Sequence, residues 1–170
     1  MAARGGSGPP SRLAQLLMTE ESVYGLILVS GVIVASASAT GTSVNALVTV
    51  SVTVVVFFAA HVYAGALARL AVTEGRSGLG ASVRTAARRS SGMLLASVPA
   101  VVVLLLGTTH IVDDDTTLWA ALIVNTLTLA VLGWIAVARW SSHWSARLMG
   151  AVVSAAFGGV LILVKAIISH

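Results

Sequence analysis

The sequence predicts an all-α, polytopic integral membrane protein with five transmembrane helices. Composition, patterning and charge placement carry that prediction. Hydrophobic residues make up 57% of the 170-residue chain, charged residues only 9%, and the mean hydropathy is +0.97. A soluble domain carries about 25% charged residues, so this chain has too few polar groups to cover a water-facing exterior. The apolar residues are gathered into long continuous runs. Disordered segments lack such runs, and the strands of a transmembrane barrel would alternate instead.

Stretches free of Asp, Glu, Lys and Arg run from Ser22 to Ala68, Ser90 to Val112, Thr116 to Ala138 and Leu148 to Val164. One span needs about 20 residues, so the first stretch must fold back once. The small, turn-forming Ala39-Thr40-Gly41-Thr42-Ser43 is where it turns. Helices are therefore expected at about 23–39, 44–72, 92–109, 117–139 and 146–169. The second is long for one span and should project beyond the bilayer, because Arg69 at depth is costly. Pro99 should kink the third.

Residues 1–20 read as a cytoplasmic disordered tail, in which Gly5-Gly6-Ser7-Gly8-Pro9-Pro10 precedes a short juxtamembrane face of Leu13, Leu16 and Leu17. Residues 21–170 read as one transmembrane domain. Glu20 and Glu21 stand just before the first helix and no small-residue cleavage site follows a short apolar core. The helix is expected to stay as an anchor.

Orientation follows from the basic residues. Arg4, Arg12, Arg69, Arg76, Arg84, Arg88, Arg89, Arg139 and Arg147 fall on one side of the expected topology, and only Lys165 falls on the other, with Asp113-Asp114-Asp115. By the positive-inside rule the amino terminus is cytoplasmic and the carboxyl terminus external. The expected location is a plasma (inner) membrane. With this topology the basic excess needs no nucleic-acid partner. Cysteine is absent, which excludes disulfides and thiolate chemistry.

His61 is the most informative single position. It lies eight residues before Arg69, about 12 Å from that basic end, within the inner half of the bilayer. An imidazole there acts as a proton relay or ion ligand, or it is a neutral group bonded to a neighbouring carbonyl or hydroxyl. Glu20 and Glu21 suit the helix dipole; alternatively one of them closes the inner mouth of a polar pathway near His61 or Arg69. Asp113, Asp114 and Asp115 can attract cations to the outer entrance, or simply cap the fourth helix. Asn125, mid-span in the fourth helix, is an interhelical hydrogen-bonder or a pore-lining group. Lys165 is expected to snorkel to the outer surface, and Trp119, Trp134, Trp140 and Trp144 to anchor the interfaces.

Two small-residue stripes favour close helix approach: Ala60, Ala64 and Ala68 in the second helix, and Gly150, Ser154 and Gly158 beside Gly159 in the fifth. One of the fifth helix's two faces is then free for a second copy, which makes the chain a candidate homo-oligomer. No phosphate loop, paired histidines or nucleophile elbow is present, so no cofactor, metal or enzymatic activity is expected.

The opening Glu20-Glu21-Ser22-Val23-Tyr24-Gly25 resembles the Phe-Ser-Asp-x-Val-Phe start of a family of small bacterial potassium channels with lysosomal relatives. His61 in the inner part of the second helix and Pro99 in the third are similar to that family's layout. The resemblance spans about three helices and implies an ion-conducting oligomer, although the Phe-Ser element is absent. The same opening resembles the Glu-x-Val-Phe-Gly start of vacuolar iron transporter-type exporters, whose Asn-Asp-Gly is replaced here by Leu26-Ile27-Leu28.

Two functions follow as expectations. The leading one is an oligomeric channel or transporter for a small cation or proton, with Glu21 and His61 at the inner end and the aspartates outside. The alternative is a non-catalytic membrane scaffold. The topology has its own test: a reporter fused after His170 should be external and one inserted near Gly80 cytoplasmic. Protease protection of the carboxyl-terminal fusion on the cytoplasmic side would refute the five-span arrangement.

Overall fold

A computed structural model describes residues 19–168, so most of the expected amino-terminal tail lies outside the described residues. It contains five α-helices: α1 Glu20–Ala39, α2 Ser43–Val72, α3 Leu79–Gly107, α4 Asp114–Ala138 and α5 Trp144–Ile168. All five are long and apolar enough to cross a membrane.

Local chemistry fixes the helix ends. Thr19 caps α1 by accepting from the Ser22 N–H, Thr42 caps α2 by accepting from Asn45, and Asp113 caps α4 by accepting from Thr116. The Thr40 and Gly41 N–H groups both bond the Ser36 carbonyl oxygen and close α1. Gly41 sits at φ 66, a left-handed conformation that glycine adopts without a Cβ penalty, which is why the chain reverses there.

The third helix departs from expectation. It begins at Leu79 rather than near residue 92, so the arginine-rich segment is helical and not a loop. Ser82, Ala86, Ser90 and Met93 recur at helical spacing and are buried, while Arg84, Arg88 and Arg89 project from the other faces. A charge-free run marks where a helix can enter lipid, and it does not mark where the helix starts. With its 30 residues, α2 is about 45 Å long, and α3 is nearly its match, so this antiparallel pair extends well beyond a hydrocarbon core of about 30 Å.

The central helix is α1, which packs against each of the other four. Its Leu26, Val29 and Ile33 are fully buried, and a cluster of Val50, Ala100, Leu104, Leu118 and Leu122 surrounds Val29 and Ile33. Gly25 lets α3 approach: a Cβ there would lie 2.6 Å from Met93 Cγ. The peripheral helix is α5, where only Gly158 and Lys165 are buried and Val152, Phe157, Val160 and Leu163 are exposed. Lipid is the natural solvent for that surface.

The stripe on α5 packs within the protomer. A Cβ on Gly133 of α4 would collide with the Gly150 carbonyl and the Ser154 side chain, and one on Gly158 would collide with Thr126. Gly159 has open space around it. Gly133→Ala and Gly158→Ala should therefore cost about 1–3 kcal/mol through overpacking, whereas Gly159→Ala should be neutral or slightly stabilising. Melting of the detergent-solubilised variants checks this. Equal effects at Gly158 and Gly159 would mean that α5 does not pack on α4 through this face.

Candidate functional site

At each end of α1 lies a cavity that carries polar groups. At the arginine-rich end, a cavity of about 320 Å³ is lined by Glu20, Glu21, His61, Ala64, Gly65, Ala68, Ala86, Arg89 and Ser90. The start of α1 contributes the carboxylates, α2 the histidine and α3 the arginine. The structure thus brings Glu21 and His61 to one space.

The central contact there is an arginine shared by two carboxylates. Arg89 Nε donates to Glu21 Oε1 at 2.8 Å and its Nη2 donates to Glu20 Oε1 at 2.7 Å. Glu20 is largely exposed, but the Glu21 side chain is only 9% exposed. Its second oxygen, Oε2, has no hydrogen-bond partner. Two carboxylates against one guanidinium leave the cluster net negative when both are ionised. His61 sits half-buried on the same cavity, its Nδ1 3.0 Å from the Phe57 carbonyl oxygen of its own helix and its ring centroid 5.4 Å from that of Phe57. If Nδ1 carries the proton, Nε2 is left as a proton acceptor.

At the other end, a cavity of about 180 Å³ is lined by Ala37, Ser38, Gly41, Asp115, Leu118, Lys165 and Ile168. Here an expectation fails. Lys165 does not snorkel: it is 2% exposed, donates to Asp115 Oδ1 at 2.7 Å and lies 4.1 Å from the Trp119 ring centroid. An ammonium this deep needs both an opposite charge and an aromatic face, and α4 supplies both one turn apart. Trp119 is accordingly a cation–π partner.

The three aspartates do not converge. Asp113 caps α4, and the Thr116 backbone N–H and hydroxyl hold its carboxyl below the usual carboxylate range. That contribution to stability is present above the ordinary carboxylate pKa and is lost as pH falls through the lowered one. Asp114 accepts from the Ser43 N–H at 2.9 Å and from its hydroxyl, tying the start of α2 to the start of α4. Asp115 holds Lys165. Among the described residues no group of three or more His, Asp or Glu side chains is arranged to hold a metal ion.

Between the two cavities, Leu26, Val29 and Ile33 of α1 are fully buried, and a polar contact reaches them from α4. Asn125 of α4 is fully buried and its Nδ2 donates to the Leu26 carbonyl at 2.6 Å and to Ser30 Oγ at 2.5 Å, both on α1. Its Oδ1 has no partner. Ala60, Ala64 and Ala68 are exposed, so their stripe is not consumed by packing inside the protomer.

Arg89 and Lys165 are the residues whose roles sequence reasoning missed. A signal existed for the first: Arg89 is the last charge before an apolar run, where a lone guanidinium would need neutralising. No protein-family model, no curated protein and no solved structure matches this chain.

The Lys165 contact generates a stability test. Asp115→Asn removes the counter-charge and leaves a buried ammonium, which should destabilise by about 1–3 kcal/mol. Adding Lys165→Met should recover most of the loss. If the double variant melts no higher than Asp115→Asn alone, the ammonium is not the source of the penalty.

Proposed function

We propose that the protein is a small multi-pass membrane protein that passes a proton or small cation between two polar cavities at opposite ends of α1. The observation that carries this reading is Glu21: a carboxylate about nine-tenths buried, with one free oxygen, in a net negative cavity shared with His61. A structural ion pair would neutralise its charges and satisfy both oxygens. This cluster does neither.

Passage occurs by rearrangement and not through a fixed pore, because Leu26, Val29 and Ile33 fill the space between the cavities. Glu21 and Arg89 form the gate at the arginine end, and Lys165 with Asp115 forms the gate at the aspartate end. Asn125 offers the guest a polar foothold at the barrier. A second copy is a further part of this proposal, with Gly159 on the free face of α5.

A scaffold is the competing reading. It is favoured by the helical extension of α3, whose Arg84 and Arg88 are exposed and carry no ion pair among the described residues.

Flux in proteoliposomes decides between them. The reconstituted chain should pass protons or alkali cations. Glu21→Gln, which keeps shape and hydrogen bonding but cannot ionise, should slow flux about tenfold, equivalent to ~1.4 kcal/mol in the barrier. His61→Gln should reduce it while preserving the fold. Absence of flux for protons, alkali cations and divalent cations from well-folded protein would leave the scaffold as the function.

A further inference from the structure

A third cavity adjoins the Glu21 site on the seam between α2 and α3. It measures about 450 Å³ and is lined by Gly65, Ala68, Arg69, Val72, Thr73, Thr85, Ala86 and Arg89. Gly65, Ala68, Ala86 and Arg89 belong to both cavities, so the two form one continuous groove. The floor is apolar and narrow because of its small residues: a Cβ on Gly65 would lie 3.1 Å from that of Ala86. The rim carries two guanidiniums.

Depth separates the roles of those guanidiniums. Measured along α3 from Gly107, Arg89 lies about 27 Å down the helix, at the edge of a hydrocarbon core of about 30 Å. A charge there needs a partner, and Arg89 has Glu20 and Glu21. Arg69 lies about 39 Å along α2 from Ser43, at the level of lipid phosphates. It is exposed and makes no side-chain ion pair among the described residues. The Thr73 and Thr85 hydroxyls donate to carbonyls of their own helices, Thr73 to Arg69 at 2.9 Å and Thr85 to Ala81 at 2.8 Å. The donor left for a guest is therefore the Arg69 guanidinium.

We propose that this groove is a binding site for an anionic phospholipid of the leaflet at the arginine end, with its phosphate on Arg69 and its glycerol-ester region along the Gly65, Ala68 and Ala86 floor, from which the acyl chains enter the core. Charge complementarity selects the anionic headgroup, and the apolar floor below the phosphate level selects a lipid over a free anion. The site does not depend on the transport reading, since a scaffold would carry the same groove.

The test compares melting of the full detergent-solubilised chain with phosphatidylglycerol or phosphatidylcholine added to the micelles. Phosphatidylglycerol should raise the melting temperature by about 5 °C more than phosphatidylcholine. Arg69→Gln should at least halve that difference, and Ala68→Leu, which fills the groove, should do the same without changing the particle mass. Arg84→Gln should leave it intact, because Arg84 is equally basic and exposed but does not line the groove. Equal losses in Arg69→Gln and Arg84→Gln would show diffuse attraction and overturn the site. So would an equal effect of inorganic phosphate, or a drop in particle mass for Ala68→Leu, which would assign the groove to a second copy.

Discussion

The structure depends on holding α1 at its centre, and one buried amide marks how that is done. In lipid, apolar side chains gain nothing by leaving the solvent, so helices associate through close packing and interhelical hydrogen bonds. The helix α1 supplies both. Gly25 admits Met93 of α3, and the two amide hydrogens of Asn125 reach the Leu26 carbonyl and Ser30. The remaining helices arrange around that contact, with α5 on the outside and nearly all of its apolar surface left for lipid.

Charge placement follows from the same geometry. The two most buried charged groups, Glu21 and Lys165, both have a charged partner on another helix. The arginines beyond the hydrocarbon edge are left unpaired or paired only with neighbours in their own turn, as Arg76 is with Glu74. The two buried pairs lie at opposite ends of α1, each beside a cavity.

Much of the fold was legible because a lipid-exposed helix has to be written as an apolar run. The turn at Gly41 and the five helices follow from that requirement. The start of α3 was not legible, since its arginines lie past the membrane edge, where helicity and polarity no longer exclude each other. At the candidate site, His61 could be named from its depth in the second helix and Glu21 from its place at the start of the first, but their arginine neighbour could not. Arg89 is a long-range partner of Glu21: its place as the last charge before an apolar run signals a need for neutralisation, but not which helix supplies it. Lys165 was misread for the same reason: snorkelling is the default for a lysine near a helix end, and it is overridden here by Asp115 and Trp119 on the facing helix.

The middle of α1 is enclosed at Leu26, Val29 and Ile33, so water should reach only the two ends of the helix. Because the chain contains no cysteine, single cysteines introduced along α1 can be labelled without background. A membrane-impermeant thiol reagent should modify Glu20→Cys from one side of a vesicle and Ser38→Cys from the other, and should leave Val29→Cys and Ile33→Cys unmodified from both. Ready labelling of Val29→Cys or Ile33→Cys in folded protein would contradict the account, because it would place water along the middle of the helix that the structure buries.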